Sequence, residues 1–356
     1  MPLDLTATSI ELTRQICDIE SVSGNEKELA DEIEAALGGM PHLELFRDGD
    51  LIVARTDLGR PRRVVIAGHL DTVPVNGNLP TRFETEGGVD YLWGRGTVDM
   101  KPGVAVALKL AAELIEPSVD VTWLFYDHEE VAADLNGLAR LARTRPDLLA
   151  GDFAILGEAS NGAIEGGCNG TMRFDVVTRG RRAHSARGWM GENAIHKAAP
   201  VLSLLAAYEP ETVEVDGLEY RENLNAVLAS GGVATNVVPD ECRIHVNYRF
   251  APSRSAAEAE AKMRALFEPL GEFELKDLSP GARPGLDAPL AQEFLAATGR
   301  EAKPKYGWTD VARFSALGIP AVNFGPGDPS LAHMDDERVD VTQITACEQA
   351  LRDWLS

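Results

Sequence analysis

Histidine and carboxylate residues follow the short apolar segments of this sequence, where a strand would end and a loop begin. The motif GHLDTVP (68–74) supplies His69 and Asp71, whose spacing of two places both side chains on one face of an extended segment. A carboxylate in that position can orient an imidazole and fix the tautomer that binds a metal ion. On its own, the pair fits a hydrogen-bonded turn at least as well, so its meaning depends on its neighbours.

Further acidic residues and one histidine stand at comparable positions along the chain. They are Asp99, Glu129, Glu130, Glu158 and His333. Several acids at the ends of buried strands would repel one another without a shared cation. Imidazole and carboxylate donors without cysteine favour a borderline divalent ion such as zinc, with cobalt or manganese as alternatives. The sequence therefore predicts a centre for divalent metal ions.

The elements that must position these residues alternate between strands and helices. Apolar strands are predicted over 51–54, 64–67, 121–126 and 153–156, and helical patterns over 104–114 and 137–142. This order is typical of a doubly wound sheet, which places ligands at the carboxyl ends of its strands. Ser23 and Glu26 form a capping-box pattern and predict the start of a helix with an apolar face.

The middle of the chain has a different order of elements. The predicted elements are a strand at 173–178, a helix at 193–208, strands at 225–229 and 241–250, a helix at 256–267 and a strand at 272–278. This β-α-β-β-α-β order indicates a ferredoxin-like domain inserted into the first one. We therefore expect a catalytic domain formed by 1–172 and 283–356, with an inserted domain at 173–282.

Charge and composition exclude several classes of function. The chain has 356 residues and a formal net charge of −22, which argues against nucleic acid because phosphate binding needs a basic surface. No apolar run approaches the roughly 20 residues that a membrane span requires. The N-terminal segment lacks the features of a secretory signal, so we expect a cytoplasmic protein. Its cysteines are widely separated, which predicts neither disulfides nor a thiolate zinc site.

Over nearly its whole length the sequence resembles the metallopeptidase-like deacylases of the M20 family. The motifs GHLDTVP, GRGTVDMKPG, EE and GE occur in the order of that family. The resemblance implies an α/β fold, in which a doubly wound zinc-hydrolase catalytic domain carries a ferredoxin-like α+β dimerisation (lid) domain. It also implies a homodimer formed through the inserted domain, and two metal ions. The implied ligands are His69 and Glu158 for one ion, Glu130 and His333 for the other, and Asp99 between them.

The resemblance further implies roles around these ions. Glu129 would be the general base, and Asp71 would support His69. His184 matches a histidine that stabilises the oxyanion from the neighbouring subunit, although by itself it could be a solvated loop residue. Arg249 and Asn236 match residues that contact substrate, and a guanidinium suits a bidentate grip on a carboxylate.

The C-terminal motifs narrow the expected substrate. WTDVARF (308–314) and FGPGD (324–328) look most like one subset of succinyl-diaminopimelate desuccinylases. That resemblance implies hydrolysis of a small N-acyl amino acid, N-succinyl-LL-2,6-diaminopimelate, to succinate and LL-2,6-diaminopimelate. The segment GGCNG (166–170) departs from the arginine-containing segment of the better-known desuccinylases. The alternatives are an acetylornithine deacetylase, an aminoacylase, a carboxypeptidase, or a non-catalytic binder of acyl amino acids or peptides.

Overall fold

The computed structural model describes residues 2–356 and divides them into two units. The first contains the chain through Gly166 together with Pro284–Lys303 and Arg313–Ser356. The second contains Gly167–Arg283 and Pro304–Ala312. The sequence prediction assigned all of 283–356 to the catalytic domain, whereas the structure assigns Pro304–Ala312 to the second unit.

The regular elements are as follows. The helices are α1 (Ser9–Asp18), α2 (Lys27–Leu37), α3 (Lys101–Glu113), α4 (Gly137–Thr144), α5 (Ala194–Lys197), α6 (Ala199–Ala206), α7 (Ala256–Phe267), α8 (Pro289–Thr298), α9 (Val311–Ala316) and α10 (Val341–Leu355). The strands of the first half are β1 (Glu44–Asp48), β2 (Leu51–Arg55), β3 (Arg63–His69), β4 (Arg82–Glu86), β5 (Val89–Trp93), β6 (Asp120–Tyr126), β7 (Phe153–Leu156), β8 (Ile164–Gly166), β9 (Gly170–Arg179) and β10 (Ala183–His184). The later strands are β11 (Thr212–Val215), β12 (Leu218–Arg221), β13 (Asn223–Gly231), β14 (Val237–Val238), β15 (Glu241–Phe250), β16 (Glu272–Ser279), β17 (Ala302–Pro304), β18 (Ala321–Asn323) and β19 (Arg338–Asp340).

An eight-stranded mixed sheet, in the order β1-β2-β6-β3-β7-β18-β8-β17, forms the centre of the first unit. Strand β3 pairs in parallel with β6 and β7, and β18 pairs in parallel with β7. Val64–Ala67 is buried along its whole length, as expected for a parallel strand covered on both faces. These four parallel strands end at one edge of the sheet, and the predicted α/β fold is confirmed.

Helix α3 packs closely against this edge. A Cβ atom added at Gly103 would lie 2.1 Å from the carbonyl oxygen of Gly157, so only glycine permits this approach. Val104 and Leu108 of the same helix are fully buried in the apolar core. The contact brings the start of α3, which follows Asp99, beside the end of β7, which precedes Glu158.

An antiparallel sheet in the order β13-β15-β9-β16 forms the second unit. Along β15, Ile244, Val246 and Tyr248 are buried in the apolar core, while the alternate residues lie on the more exposed face. Strand β15 and helix α7 have the bounds predicted from the sequence. The predicted helix over 193–208 is instead two short helices, α5 and α6, because Pro200 has no backbone N–H to continue the hydrogen-bond pattern.

The capping box predicted at Ser23 and Glu26 does not form. Glu26 is the N-cap of α2 but makes no side-chain capping bond. The Glu26 carboxylate accepts instead from the backbone amides of Gly24 and His128. Ser23 Oγ donates to Asp71 Oδ2 over 2.6 Å. A true capping box does occur at the start of α7, between Ser255 and Glu258.

None of the helices within residues 2–356 has both the length and the apolar character needed to cross a membrane.

Candidate metal centre

The sheet topology explains how distant motifs meet in the first unit. His69 is the last residue of β3, and Glu129 and Glu130 follow the end of β6. Glu158 lies two residues beyond β7. Because these strands are parallel, their carboxyl ends lie side by side, and the loops after them converge.

The structure brings the five predicted ligands into two overlapping groups. One contains His69, Asp99 and Glu158, and the other contains Asp99, Glu130 and His333. Within each group, one potential ligand atom per residue lies within 4.8 Å of the others. Asp99 belongs to both groups, so its carboxylate can serve two metal ions.

The two oxygens of Asp99 face different histidines. Asp99 Oδ1 lies 3.0 Å from His69 Nε2, and Oδ2 lies 3.3 Å from His333 Nε2. His333 Nε2 also lies 2.8 Å from Glu130 Oε1. The donor set of imidazoles and carboxylates fits a pair of divalent ions, because such donors bind zinc and the donor atoms of each group lie within 4.8 Å of one another.

Asp71 connects the His69 strand with the Glu129–Glu130 turn. Its carboxylate accepts from the backbone amides of Glu129 at 2.9 Å and Glu130 at 3.0 Å. The backbone carbonyl of Asp71 lies 2.9 Å from His69 Nδ1, whereas the nearest carboxylate oxygen is 3.5 Å away. With Nδ1 as the donor, Nε2 keeps the lone pair that a metal ion needs. Asp71 thus orients a histidine and two acids at once.

Without a metal, the two histidines of the cluster bind protons strongly, whereas Asp71 and Asp99 are stabilised as carboxylates. Burial works to lower the pKa of His69, but hydrogen bonds and charge from Asp71 and Asp99 raise it well above its ordinary value. Hydrogen bonds to Asp99 and Glu130 raise the pKa of His333 to about 10. Burial opposes ionisation of Asp71, yet His69 and Ser23 lower its pKa to about 2. The two histidines must therefore release protons when a metal ion binds.

Glu129 lies beside the two ligand groups without belonging to either. It forms a separate group with His69 and Glu130, in which one potential ligand atom from each lies within 4.8 Å of the others. Its backbone amide is anchored by Asp71. A carboxylate held next to the candidate metal ligands is placed to exchange protons with a reacting water.

His184 and Asn236 lie on neighbouring segments of the second unit. Strand β10 pairs with β14, and Ser185 N donates to the backbone carbonyl of Asn236 over 2.9 Å. The His184 side chain is exposed, and its Nδ1 accepts from Ala186 N at 3.1 Å. A neutral His184 then carries its proton on Nε2, which can donate to an anionic oxygen.

Arg249 lines a cavity of about 380 Å³ in the second unit. Its half-buried side chain donates from Nε to Asn247 Oδ1 over 3.2 Å. Arg221, Tyr306 and Asn169 line the same cavity. Asn169 belongs to the GGCNG segment that departs from the better-known desuccinylases, so this departure lies beside the predicted substrate arginine.

Sequence reasoning missed the role of Ser23, which supports the Asp71 carboxylate rather than a helix. No local signal identifies it, because its partner is 48 residues away. It also gave no role to Arg95 and Glu337, although both lie inside motifs that supply ligands.

Known proteins resemble this chain over its full length. A succinyl-diaminopimelate desuccinylase of Corynebacterium glutamicum is 48% identical over 364 residues, covering 99% of this chain and 98% of that protein. A Mycobacterium tuberculosis protein with the same enzyme name is 52% identical over 355 residues, covering 99% of both chains. A fungal relative from Aspergillus fumigatus, named as a probable carboxypeptidase, is only 28% identical over 82% of this chain and 69% of that one.

Solved structures share the fold. The aminopeptidase PepT of Bacillus cereus superposes with a TM-score of 0.78 at 18% identity, covering 100% of this chain and 99% of that one. A dinuclear metal-binding M20 peptidase of Bacillus subtilis gives a TM-score of 0.72 at 18% identity, covering 97% and 96%. The sequence pattern of peptidase family M20/M25/M40 matches residues 65–356. The chain therefore belongs to peptidase family M20/M25/M40.

Proposed function

We infer that this chain is a metal-dependent amide hydrolase that converts N-succinyl-LL-2,6-diaminopimelate to succinate and LL-2,6-diaminopimelate. The observation that carries the chemistry is the pair of ligand groups sharing Asp99, with Glu129 beside them. The substrate follows from the desuccinylase relatives at 52% and 48% identity, against 28% for the named carboxypeptidases. The reaction supplies precursors for lysine and peptidoglycan synthesis.

Two divalent ions are the proposed cofactors. His69, Asp99 and Glu158 would hold one, and Asp99, Glu130 and His333 would hold the other. Zinc is the metal we propose, because it commonly binds a few imidazole and carboxylate ligands. Cobalt and manganese are the alternatives. When bound, two such ions lower the pKa of a water and polarise the amide carbonyl.

The chain's own residues transfer protons, stabilise the developing charge and bind the substrate. Glu129 takes a proton from the attacking water and returns it to the leaving amine. Asp71 keeps Glu129 in place through its backbone amide. His184 donates from Nε2 to the developing oxyanion. Arg249 binds a substrate carboxylate through its guanidinium, and Asn236 contributes a further polar contact.

We also propose a homodimer formed through the second unit. Within residues 2–356, β13 is one of the two edge strands of its sheet and pairs on one side only. Two of its apolar side chains are largely exposed, Val227 at 52% and Leu228 at 70%. An apolar cavity of about 220 Å³ beside this strand includes Ile195 and Leu202. An unprotected edge strand with exposed apolar residues is a surface that a second copy can cover.

A cytoplasmic location is part of the same proposal. All four cysteines are buried as free thiols, which suits a reducing compartment.

The first experiment compares hydrolysis of N-succinyl-LL-2,6-diaminopimelate with that of N-acetylornithine. The protein is stripped with a chelator and then reloaded with zinc, cobalt or manganese. We expect turnover only after reloading, with a strong preference for the succinyl substrate. A preference for the acetyl substrate would keep the mechanism and reject the substrate. A reloaded protein that hydrolyses neither substrate but binds one would favour a non-catalytic binder.

A second experiment tests whether the sites are shared between subunits. Glu129→Ala and His184→Ala are each expected to be inactive, and mixing them should restore part of the activity. Recovery is expected because some mixed dimers hold one site with both residues intact. Absence of recovery, despite measured subunit exchange, would show that His184 does not act across the dimer.

A further inference from the structure

A buried ion pair joins two loops that carry proposed metal ligands. Arg95 Nη1 lies 2.7 Å from Glu337 Oε2, and their side chains are 4% and 1% exposed. Arg95 precedes Asp99 by four residues, and Glu337 follows His333 by four. Neither residue belongs to the ligand set.

Glu337 holds the glycine-rich loop that ends at Asp99. Its Oε1 accepts from the backbone amide of Val98 at 2.8 Å and that of Asp99 at 3.2 Å. Its backbone carbonyl accepts from Gly94 N at 3.0 Å. Gly96, within this loop, has a φ of 81°, a conformation that glycine adopts freely. Glu337 therefore fixes both ends of the segment that delivers Asp99.

Arg95 extends the connection to two more segments. Its Nε donates to the carbonyl of Pro74 at 3.2 Å, and its Nη1 donates to the carbonyl of Met334 at 3.3 Å. Pro74 ends the motif that carries His69, and Met334 is next to His333. One guanidinium thus ties together the loops that present His69, Asp99 and His333.

We propose that Arg95 and Glu337 are positioning residues that set the distance between Asp99 and His333. They thereby set the affinity for the second metal ion, which is the ion that Asp99, Glu130 and His333 would hold. His333 depends on such support because its side chain is 51% exposed and lies on a loop. Coordination distances tolerate deviations of only about 0.2 Å, so a small loop shift weakens binding. This inference rests on the proposed metal centre, but its test needs no substrate.

The test compares Glu337→Gln with a matched control, Asp120→Asn. Glutamine keeps an oxygen for the backbone amides but loses the charge that faces Arg95. Asp120 is also buried and accepts from backbone amides, those of Leu58 and Arg60, with Arg63 at 3.7 Å. It begins β6, so it lies at the opposite end of that strand from the Glu129–Glu130 turn.

Metal-free proteins are titrated with zinc against a chromophoric chelator, which yields two stepwise dissociation constants. We expect Glu337→Gln to weaken the second constant by about 10- to 100-fold, the usual loss when a residue supporting a ligand is removed. The first constant should change less, and Asp120→Asn should leave both unchanged. In zinc-saturated enzyme, Glu337→Gln should lower kcat with little change in KM.

Two results would overturn the proposal and leave Arg95 and Glu337 with a purely structural role. One is that the zinc dissociation constants of Glu337→Gln are unchanged, and the other is that Asp120→Asn weakens zinc binding equally. If Glu337→Gln does not fold, Arg95→Lys takes its place, because lysine keeps the charge but loses the three-way contact. It should weaken the second constant in the same direction, and an unchanged constant would overturn the proposal. Failure of the unaltered protein to bind two zinc ions would instead reject the metal centre itself.

Discussion

The buried carboxylate of Glu222 in the second unit and the carboxylates of the candidate metal centre are neutralised in different ways. In the second unit, Glu222 is fully buried and accepts from Tyr248 Oη at 2.7 Å and Ala251 N at 3.0 Å. Arg254 Nε at 3.2 Å and Lys262 Nζ at 3.1 Å complete its surroundings. Its negative charge is therefore matched by permanent cations of the same unit.

The acids of the candidate metal centre, in the first unit, face imidazoles instead. Asp99, Glu130 and Glu158 are grouped with His69 and His333, which are cationic only when protonated. Asp99 contacts both histidines. Neutralising this cluster therefore requires either protons or metal ions. A cluster of buried acids indicates a metal site when its neighbours are other potential metal ligands rather than permanently charged arginine or lysine side chains.

Glu129→Gln is expected to have the largest effect. Glutamine cannot accept the water proton, so kcat should fall by about 10²- to 10⁴-fold. The zinc content should stay at two ions, because Glu129 belongs to neither ligand group. Steady-state kinetics and metal analysis on the same sample measure both quantities. Comparable activity in the variant would remove Glu129 as the base.

Asp71→Asn should weaken the metal centre itself. Asparagine offers one acceptor oxygen where Asp71 uses two, for the amides of Glu129 and Glu130. We expect zinc affinity or kcat to fall by about 10- to 100-fold. Zinc titration and kinetics test this, and Ser23→Ala, which removes one hydrogen bond to Asp71, should show a smaller loss. A variant that matches the unaltered protein in both would show that Asp71 is dispensable.

Glu222→Gln should affect stability and leave the metal centre intact. Glutamine cannot satisfy the donors of Arg254 and Lys262 as a carboxylate does, so the free energy of unfolding should fall by about 1–3 kcal/mol. Urea denaturation measures the loss, and zinc content should not change. An exposed control, Asp147→Asn at the pair with Arg145, should have no measurable effect. Loss of zinc from Glu222→Gln would contradict the contrast between Glu222 and the candidate metal centre.

The smallest expected effect is the pH dependence of the stability difference between the unaltered protein and Glu222→Gln. Burial opposes ionisation of Glu222, but Tyr248, the Ala251 amide and Lys262 together lower its pKa below the ordinary value of 4.5. A lowered pKa stabilises the fold above the unfolded value and loses that contribution as pH falls through the folded value. The stability difference between the unaltered protein and Glu222→Gln should therefore shrink below pH 4.5. A difference that grows on acidification would contradict this assignment.

Much of the fold could be predicted from the sequence because its signals are local. Strand β15, whose apolar residues alternate, and helix α7 both have the predicted bounds. Short elements such as β8 and β17 carry too few residues for a period to be visible. The apolar pattern over 193–208 predicts one helix, whereas the structure has two, because Pro200 lacks the backbone N–H that a continuous helix needs.

The sequence by itself determined the candidate ligands, because each lies after a predicted strand or within a recognisable motif. Parallel strands have their carboxyl ends at one edge of the sheet, so residues that follow them are expected to meet. Tertiary structure decided how those ligands are held. Ser23 meets Asp71 across 48 residues, and Arg95 meets Glu337 across 242. Such contacts produce no periodic pattern in the sequence. Each residue taken alone is equally typical of a helix cap or a solvent-exposed loop. Only the folded backbone brings their atoms within hydrogen-bond distance.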